Sequence, residues 1–334
     1  MVIENRATLG APFIKGMTAK VAEISSQADQ AYSLGINSAL GVENNTYTKL
    51  FKDKTSNNAQ ETMTSITGTG YLTLTPEGSN YAMDSRTSGY ETQYKFFNYT
   101  NGIEITKLNR DDMIVEPKLD ALRSLLVSVK MTMDKHAFDL FNYAFTAQAS
   151  LPTHLTYYGD GVPFCSTLHP KKVAGSTQSN ADANGLVLSH TNISTLRQQL
   201  RRQVDERGLP SNVGSGKLIL LVPDALEELA VVTTKTTKRP NSANNDINIF
   251  DGNVTVISTK WINSQNGGSD TQFFLIDSMQ SPCIFYNRQG IETDVWMDNR
   301  NKNLITDVSC RYQVGNKDFR GVVGSKGNAS AYSS

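Results

Sequence analysis

Cysteine is nearly missing. Cys165, Cys283 and Cys310 stand far apart in a chain of 334 residues. An odd, sparse set builds no disulfide framework, so a reducing compartment is expected. Net charge is also missing, because 32 Lys plus Arg balance 32 Asp plus Glu. Proteins that read nucleic-acid bases usually carry a basic excess, and this chain is not expected among them. Long apolar runs are missing too. The longest, Leu218 to Pro223, falls far short of the roughly 18 residues a membrane-spanning helix needs. Met1 to Arg6 contains an early acid and no apolar stretch, so no secretory signal is expected there.

Charged residues are only 19% and hydrophobic residues 38% of the chain. Low charge argues against an open, disordered chain. A neutral surface also lacks the repulsion that keeps monomers apart, which leans toward life in an assembly. Polar residues fill the gap, with 28 Asn among them. The Asn-X-Ser/Thr triplets at Asn98, Asn192 and Asn253 follow from that abundance.

Catalytic signatures are equally scarce. Gly68-Thr69-Gly70 lacks the third glycine and the following helix of a phosphate loop, so it reads as turn chemistry. The sequence has no paired-cysteine zinc spacing, no HExxH and no GxSxG elbow. His136, His154, His169 and His190 are scattered. Cys165 and His169 could form a nucleophile and its base, yet they lie in a proline-bounded loop with no third orienting group, and loop packing is the simpler role. Asp111-Asp112 reads as a helix start complementing the macrodipole. Arg197, Arg201, Arg202 and Arg207 are interrupted by Asp205 and Glu206, which suits a solvated or inter-subunit face better than a phosphate site. No enzyme, cofactor or metal is expected.

What is present is an order of parts. After an irregular lead, Thr18 can cap a helix with Val21, Ile24, Ala28 and Ala31 at helical spacing. Thr62 to Gly78 is rich in Thr and Gly, and Tyr81 to Tyr99 in Tyr, Thr and Ser. Tyr71, Thr73 and Thr75 alternate with Leu72 and Leu74, which predicts a long two-stranded ribbon with a turn at Pro76-Glu77-Gly78. Such a ribbon is marginal alone and must lie on another surface. A short strand follows at Ile103 to Leu108.

Leu119, Leu122, Leu126, Val129, Met133, Ala137, Leu140 and Ala144 then keep three-four spacing. The pattern predicts one strut helix over 112–147, with Arg123, Lys130, Asp134 and Asp139 on its polar face. Residues 148–185 read as loop.

From 186 helices and strands alternate. Ser189 or Thr191 caps a helix with Leu196, Leu200 and Val204 inside and Gly208 at its end. Leu218 to Val222 is a buried strand, Pro223-Asp224 opens a helix to about Thr233, and Lys235 to Asp251 is a basic-tipped loop. Val254 to Ser258 and Phe273 to Ile276 are strands, with Cys283 to Tyr286 continuing that sheet. Val308, Cys310, Tyr312 and Val314 alternate with polar residues as a half-buried strand. Gly315-Asn316 suits a tight turn, with Phe319 to Val323 returning. The tail from Ser325 is expected to fray.

This order of arm, ribbon, strut helix and α/β module resembles the major capsid proteins of tailed bacteriophages, the Hong Kong 97-type coat fold. The Asp160-Gly161-Val162-Pro163-Phe164 loop with His169-Pro170, and the strand Leu218 to Pro223, add local support. Within the group it looks most like the Mu-like major head subunits. The resemblance implies an α+β fold with an N-arm at 1–55, an extended loop at 56–100, and a peripheral domain at 101–175 holding the spine helix. An axial domain at 176–290 and return strands with a tail at 291–334 complete it.

The resemblance further implies an icosahedral shell of pentamers and hexamers around double-stranded DNA, assembled in the host bacterial cytoplasm. A scaffolding protein, a portal and a decoration protein would be partners. The chain begins almost at the arm, so scaffolding is expected to be separate or already removed. Candidate inter-subunit residues are Tyr71, Leu72, Leu74, Tyr81 and Tyr90 on the ribbon and Lys235, Lys238 and Arg239 at the axial tip. Two other readings stand beside it: an encapsulin-like nanocompartment shell, and a cysteine hydrolase using Cys165 and His169.

Overall fold

The computed structural model describes residues 46–108, 115–173, 175–240 and 246–332. The expected N-terminal helix and Asp111-Asp112 lie outside those residues.

In chain order the strands are β1 Lys52–Thr55, β2 Gln60–Ile66, β3 Ser88–Lys95, β4 Phe97–Ile105, β5 Leu155–Thr156, β6 His169–Pro170, β7 Thr177–Gln178, β8 Leu218–Pro223, β9 Val254–Thr259, β10 Phe273–Asp277, β11 Cys283–Met297, β12 Leu304–Asn316 and β13 Val322–Ser325. The described α-helices are α1 Val115–Asn142, α2 His190–Arg201 and α3 Glu227–Lys235.

Helix α1 has 28 residues, about 42 Å at 1.5 Å each. Leu126, Val129, Ala137, Leu140 and the following Ala144 are buried, as the spacing requires. The helix stops at Asn142 rather than at 147. Ala144 N–H bonds to the Phe141 carbonyl and Thr146 N–H to that of Tyr143, so the bonding tightens to three-residue steps and the α-turn ends. The expected polar face is also corrected. Asp134 and Asp139 are both buried. Asp139 accepts from Asn142 Nδ2 at 3.0 Å and lies 3.0 Å from His154 Nε2.

Two sheets organise the molecule. The larger runs β1-β11-β12-β4, with β5 against β12. The second runs β13-β10-β8-β9, and β8 and β9 are parallel. A parallel pair needs a crossover, which α3 supplies. The second sheet is buried on both faces, and its strands alternate between two cores. Ile219, Leu221, Phe274, Ile276 and Val322 join the core shared with α1, Phe138, Phe285 and Tyr312. Leu218, Leu220, Val222, Phe273, Leu275 and Val323 join the core under α2 and α3. This double burial explains the unbroken apolar texture of β8 and β10. Helix α2 starts as expected, with the Ser189 hydroxyl accepting from Asn192 N–H.

Three strand assignments differ from expectation. Cys283 to Tyr286 belongs to the larger sheet, between β1 and β12. Gly315 and Asn316 lie within β12 rather than in a tight turn. The returning segment pairs with β10 in the second sheet rather than with β12. Strand β11 passes residue 290 as one continuous strand. The tail after Ser325 is docked, with Ala329 and Tyr332 N–H groups bonding to the Gly185 and Ala183 carbonyls.

Candidate assembly surfaces

The ribbon forms only at its root. Strands β2 and β3 pair from Gln60↔Lys95 to Ile66↔Ser88. Residues 67–87 carry no strand. Among the described residues the alternation at 71–75 therefore makes no ladder, because none of them supplies a second strand beside it to satisfy its backbone groups.

The root is held firmly. The Ser65 and Tyr158 hydroxyls lie 3.0 Å apart, and Gly159 N–H donates to Thr92 Oγ1 at 3.1 Å. A Cβ on Gly159 would sit 1.9 Å from the Glu91 carbonyl oxygen, so only glycine allows this approach. Lys172 Nζ donates to the Gly89 carbonyl at 2.7 Å and lies 5.5 Å over the Tyr90 ring. The Tyr90 ring also meets Tyr158 edge-on. Tyr90 is thus half-buried at the root, apart from the other ribbon candidates.

Those others project freely. Tyr71, Leu72, Leu74 and Tyr81 are 76%, 102%, 93% and 87% exposed, and Met83 joins them at 95%. Monomeric proteins rarely display so many large apolar side chains on one short segment. Sequence reasoning missed the contact at the neck of this loop. Arg207 Nη1 donates to both carboxylate oxygens of Asp84, at 2.8 and 2.6 Å, and Nη2 donates to the Ser85 carbonyl. Gly70 N–H donates to Asp84 Oδ2 at 2.6 Å. Arg207, then the Gly70 amide, hold the Asp84 carboxyl down at about 2. The partners are 123 residues apart, and no local signal in the sequence links them.

At the far end of the α2/α3 unit, Lys235, Lys238 and Arg239 are exposed. Lys238 bridges to Ile247, and Arg239 Nη2 reaches Thr191 Oγ1 at 3.4 Å. Lys235 ends α3 and Lys238 and Arg239 follow it, well separated in the chain from the ribbon.

The nucleophile reading of Cys165 fails on geometry. His169 Nδ1 lies 2.6 Å from Asp160 Oδ2 and Nε2 lies 2.9 Å from Asn180 Oδ1, and the ring stacks on Phe319 at 3.9 Å. Both ring nitrogens are thus engaged elsewhere. Cys165 is fully buried, and burial pushes its thiol up, away from the reactive thiolate. Among the described residues no cluster of three or more His, Cys, Asp or Glu could hold a metal ion, and no helix is long and apolar enough to cross a membrane.

A family model described as phage capsid protein matches residues 86–325. The chain belongs to the phage capsid protein family. That match spans well over half of the sequence, from the ribbon root to β13. Solved structures share the fold at low identity. A structure from Mycobacterium phage Patience is 13% identical, with a TM-score of 0.55 over 90% of this chain and 86% of its own. The capsid of Ralstonia phage GP4 is 12% identical, with a TM-score of 0.51 over 85% and 87%. The cyanophage Pam1 capsid is 11% identical, with a TM-score of 0.50 over 82% and 87%. A search of curated proteins finds no match. The fold is α+β, of the Hong Kong 97 type. The protein is a structural subunit of the virion, a major capsid protein whose copies form the phage shell.

Proposed function

We propose that copies of this phage capsid protein assemble as pentamers and hexamers into an icosahedral shell around double-stranded DNA, and that the ribbon tip is docked on a neighbouring copy. The exposed apolar set Tyr71, Leu72, Leu74, Tyr81 and Met83 carries this reading. Burying such side chains is worth about 1.5–3 kcal/mol each, and among the described residues none covers them. In this reading 1–55 is the arm, 56–100 the extended loop, 101–175 the peripheral domain, 176–290 the axial domain and 291–334 the return strands and tail. Tyr90 then sets the ribbon root, while Lys235, Lys238 and Arg239 meet their counterparts near the capsomer axis.

A neutral shell encloses DNA without reading it, through phosphate contacts that carry no sequence information. A scaffolding protein guides assembly in the host cytoplasm, and a portal and a decoration protein complete the head. The family match favours this phage shell over a nanocompartment that encloses an enzyme.

The test is negative-stain microscopy and sedimentation of the recombinant chain, alone and with a co-expressed scaffold, against Leu72→Asp/Leu74→Asp. Closed shells or rings of five and six from the parent chain, lost in the variant, are expected. A monomer in both backgrounds would overturn the assembly reading, and normal shells from the variant would overturn the ribbon's part in it.

A further inference from the structure

The ribbon has a rigid root and a much weaker neck. At the root, Gly159 lies against Glu91, Tyr158 against Ser65 and Tyr90, and Lys172 against Gly89, all beside a β ladder. At the neck, Thr67 and Thr87 exchange two hydrogen bonds, Thr67 N–H to the Thr87 carbonyl at 3.0 Å and Thr87 N–H to Thr67 Oγ1 at 2.9 Å. Just beyond, Arg207 grips the loop from outside.

Arg207 is itself positioned. Its N–H donates to Asp205 Oδ1 at 2.9 Å, and that oxygen also accepts from Leu209 N–H at 2.8 Å. The guanidinium is therefore presented by a closed turn, with its fork aimed at the ribbon. The Asp84 side chain is 42% exposed. An exposed ion pair is screened by salt and is worth little compared with burial of several Leu and Tyr side chains.

We propose that the Arg207–Asp84 pair is a releasable clamp that points the ribbon tip in one direction on the free subunit and opens when a neighbouring copy takes the tip. The inference rests on the ribbon being the element that reaches that neighbour. The Arg207 fork holds Asp84 and the Ser85 carbonyl, and the Asp84 carboxylate in turn holds the Gly70 amide, so both arms of the loop meet at one ion pair. Opening it frees 67–87 while the root at 60–66 and 88–95 stays in place. The two states differ in a contact that salt and a competing surface can both displace, which is what a population shift requires.

Hydrogen exchange on the unassembled full chain tests this. Asp84→Asn and Arg207→Gln are each expected to raise exchange across 67–87 by roughly fivefold, the Gly70 amide foremost, with 60–66 and 88–95 unchanged. Arg207→Lys, which keeps the charge and loses the fork, should fall between. Salt at roughly 1 M should reproduce the effect in the parent chain. Unchanged protection in Asp84→Asn, whose exposed site leaves folding intact, overturns the clamp. Shell formation is scored separately. Normal shells with unchanged exchange remove the clamp and keep the ribbon's role. Raised exchange with shells insensitive to Leu72→Asp/Leu74→Asp keeps a mobile neck and removes the neighbour.

Discussion

Arg207 reaches across the molecule to Asp84 and binds both oxygens of its carboxylate, at 2.8 and 2.6 Å. The contact joins the turn after α2 to the neck of the ribbon. Its acid response follows from the Asp84 carboxyl, which Arg207 and Gly70 lower from 3.8 to about 2. A group with a depressed folded value contributes above its unfolded value and loses that contribution as pH falls through the folded one. The neck should therefore stay closed from pH 7 to about 4 and open between about 4 and about 2. The Asp84 carboxyl carbon shift, followed by NMR, should titrate in that lower range; a midpoint near 4 would show that the pair is not formed in solution.

The ribbon tip separates assembly from folding. Leu72 and Leu74 touch almost nothing among the described residues, being 102% and 93% exposed. Exposed substitutions away from caps and cores usually change stability by less than about 0.5 kcal/mol. Leu72→Asp/Leu74→Asp should thus leave the urea midpoint of the subunit in place while shells disappear from the sedimentation profile. A large drop in the midpoint would mean that the tip packs on its own subunit.

Local pattern carried much of the fold and little of the site. The three-four spacing of Leu126, Val129, Ala137 and Leu140 marks α1, and the alternation of Val308, Cys310, Tyr312 and Val314 marks β12, because each pattern reports burial of one face. Pattern cannot say which sheet a strand joins. Ile284 lies against Lys52 of β1, and Val323 against Leu275 of β10, through pairings set by distant chain. Nor does the alternation at Tyr71 to Thr75 supply the missing second strand. Asp134 and Asp139 look polar-faced on a helical wheel, yet both are buried, with His154 against Asp139 and Lys260 near Asp134. Composition marked the ribbon as too poor in apolar residues to fold alone, whereas the half-burial of Tyr90 at the root and the Arg207–Asp84 contact are set only by the tertiary fold.

Asp134 makes the stability profile fall towards neutral pH. Both of its carboxyl oxygens are buried without a hydrogen-bond partner. Burial pushes the group from 3.8 to about 8, with Lys260 opposing. The folded state then holds a proton that the unfolded state has lost, so the Asp134 contribution to stability falls as pH rises from about 4 to about 8. Each pH unit in that window costs about 1.4 kcal/mol. Asp134→Asn keeps the shape and removes the titration. Its urea midpoint should vary much less between pH 6.5 and 8 than that of the parent chain; an equal slope in both would place the proton elsewhere.

His136 acts with the opposite sign. Its ring stacks on His154 at 3.9 Å, and Nδ1 lies 2.8 Å from the Tyr312 hydroxyl. Burial, then the neighbouring His154, lowers the imidazole from 6.5 to about 4. The unfolded state binds the extra proton here, so stability is lost as pH falls from about 6.5 to about 4. Over that range the His136 and Asp134 slopes oppose each other. The parent profile should be nearly flat there, and Asp134→Asn should expose an acid-side decline of about 1.4 kcal/mol per unit. Adding His136→Gln should flatten it again in urea titrations, and a decline that survives the double change would point to another group.

The docked tail gives the sharpest test of core packing at the chain's end. Tyr332 is 8% exposed, and its hydroxyl donates to the Cys165 carbonyl at 3.1 Å. Its ring meets Phe145 edge-on and lies 4.0 Å from Lys326 Nζ. The approach depends on Gly327, whose φ is +64° and where a Cβ would come 2.0 Å from the Thr271 carbonyl oxygen. Tyr332→Phe removes one hydrogen bond and should cost about 1 kcal/mol. Tyr332→Ala also empties the ring's place beside Phe145 and Cys165 and should cost about 3 kcal/mol. Gly327→Ala should approach the larger loss without touching the ring, because backbone blocks the added methyl. Urea midpoints of the three variants check the order. If all three match the parent chain, the segment after Ser325 does not pack in solution, and the buried face of Cys165 must be closed by another part of the chain.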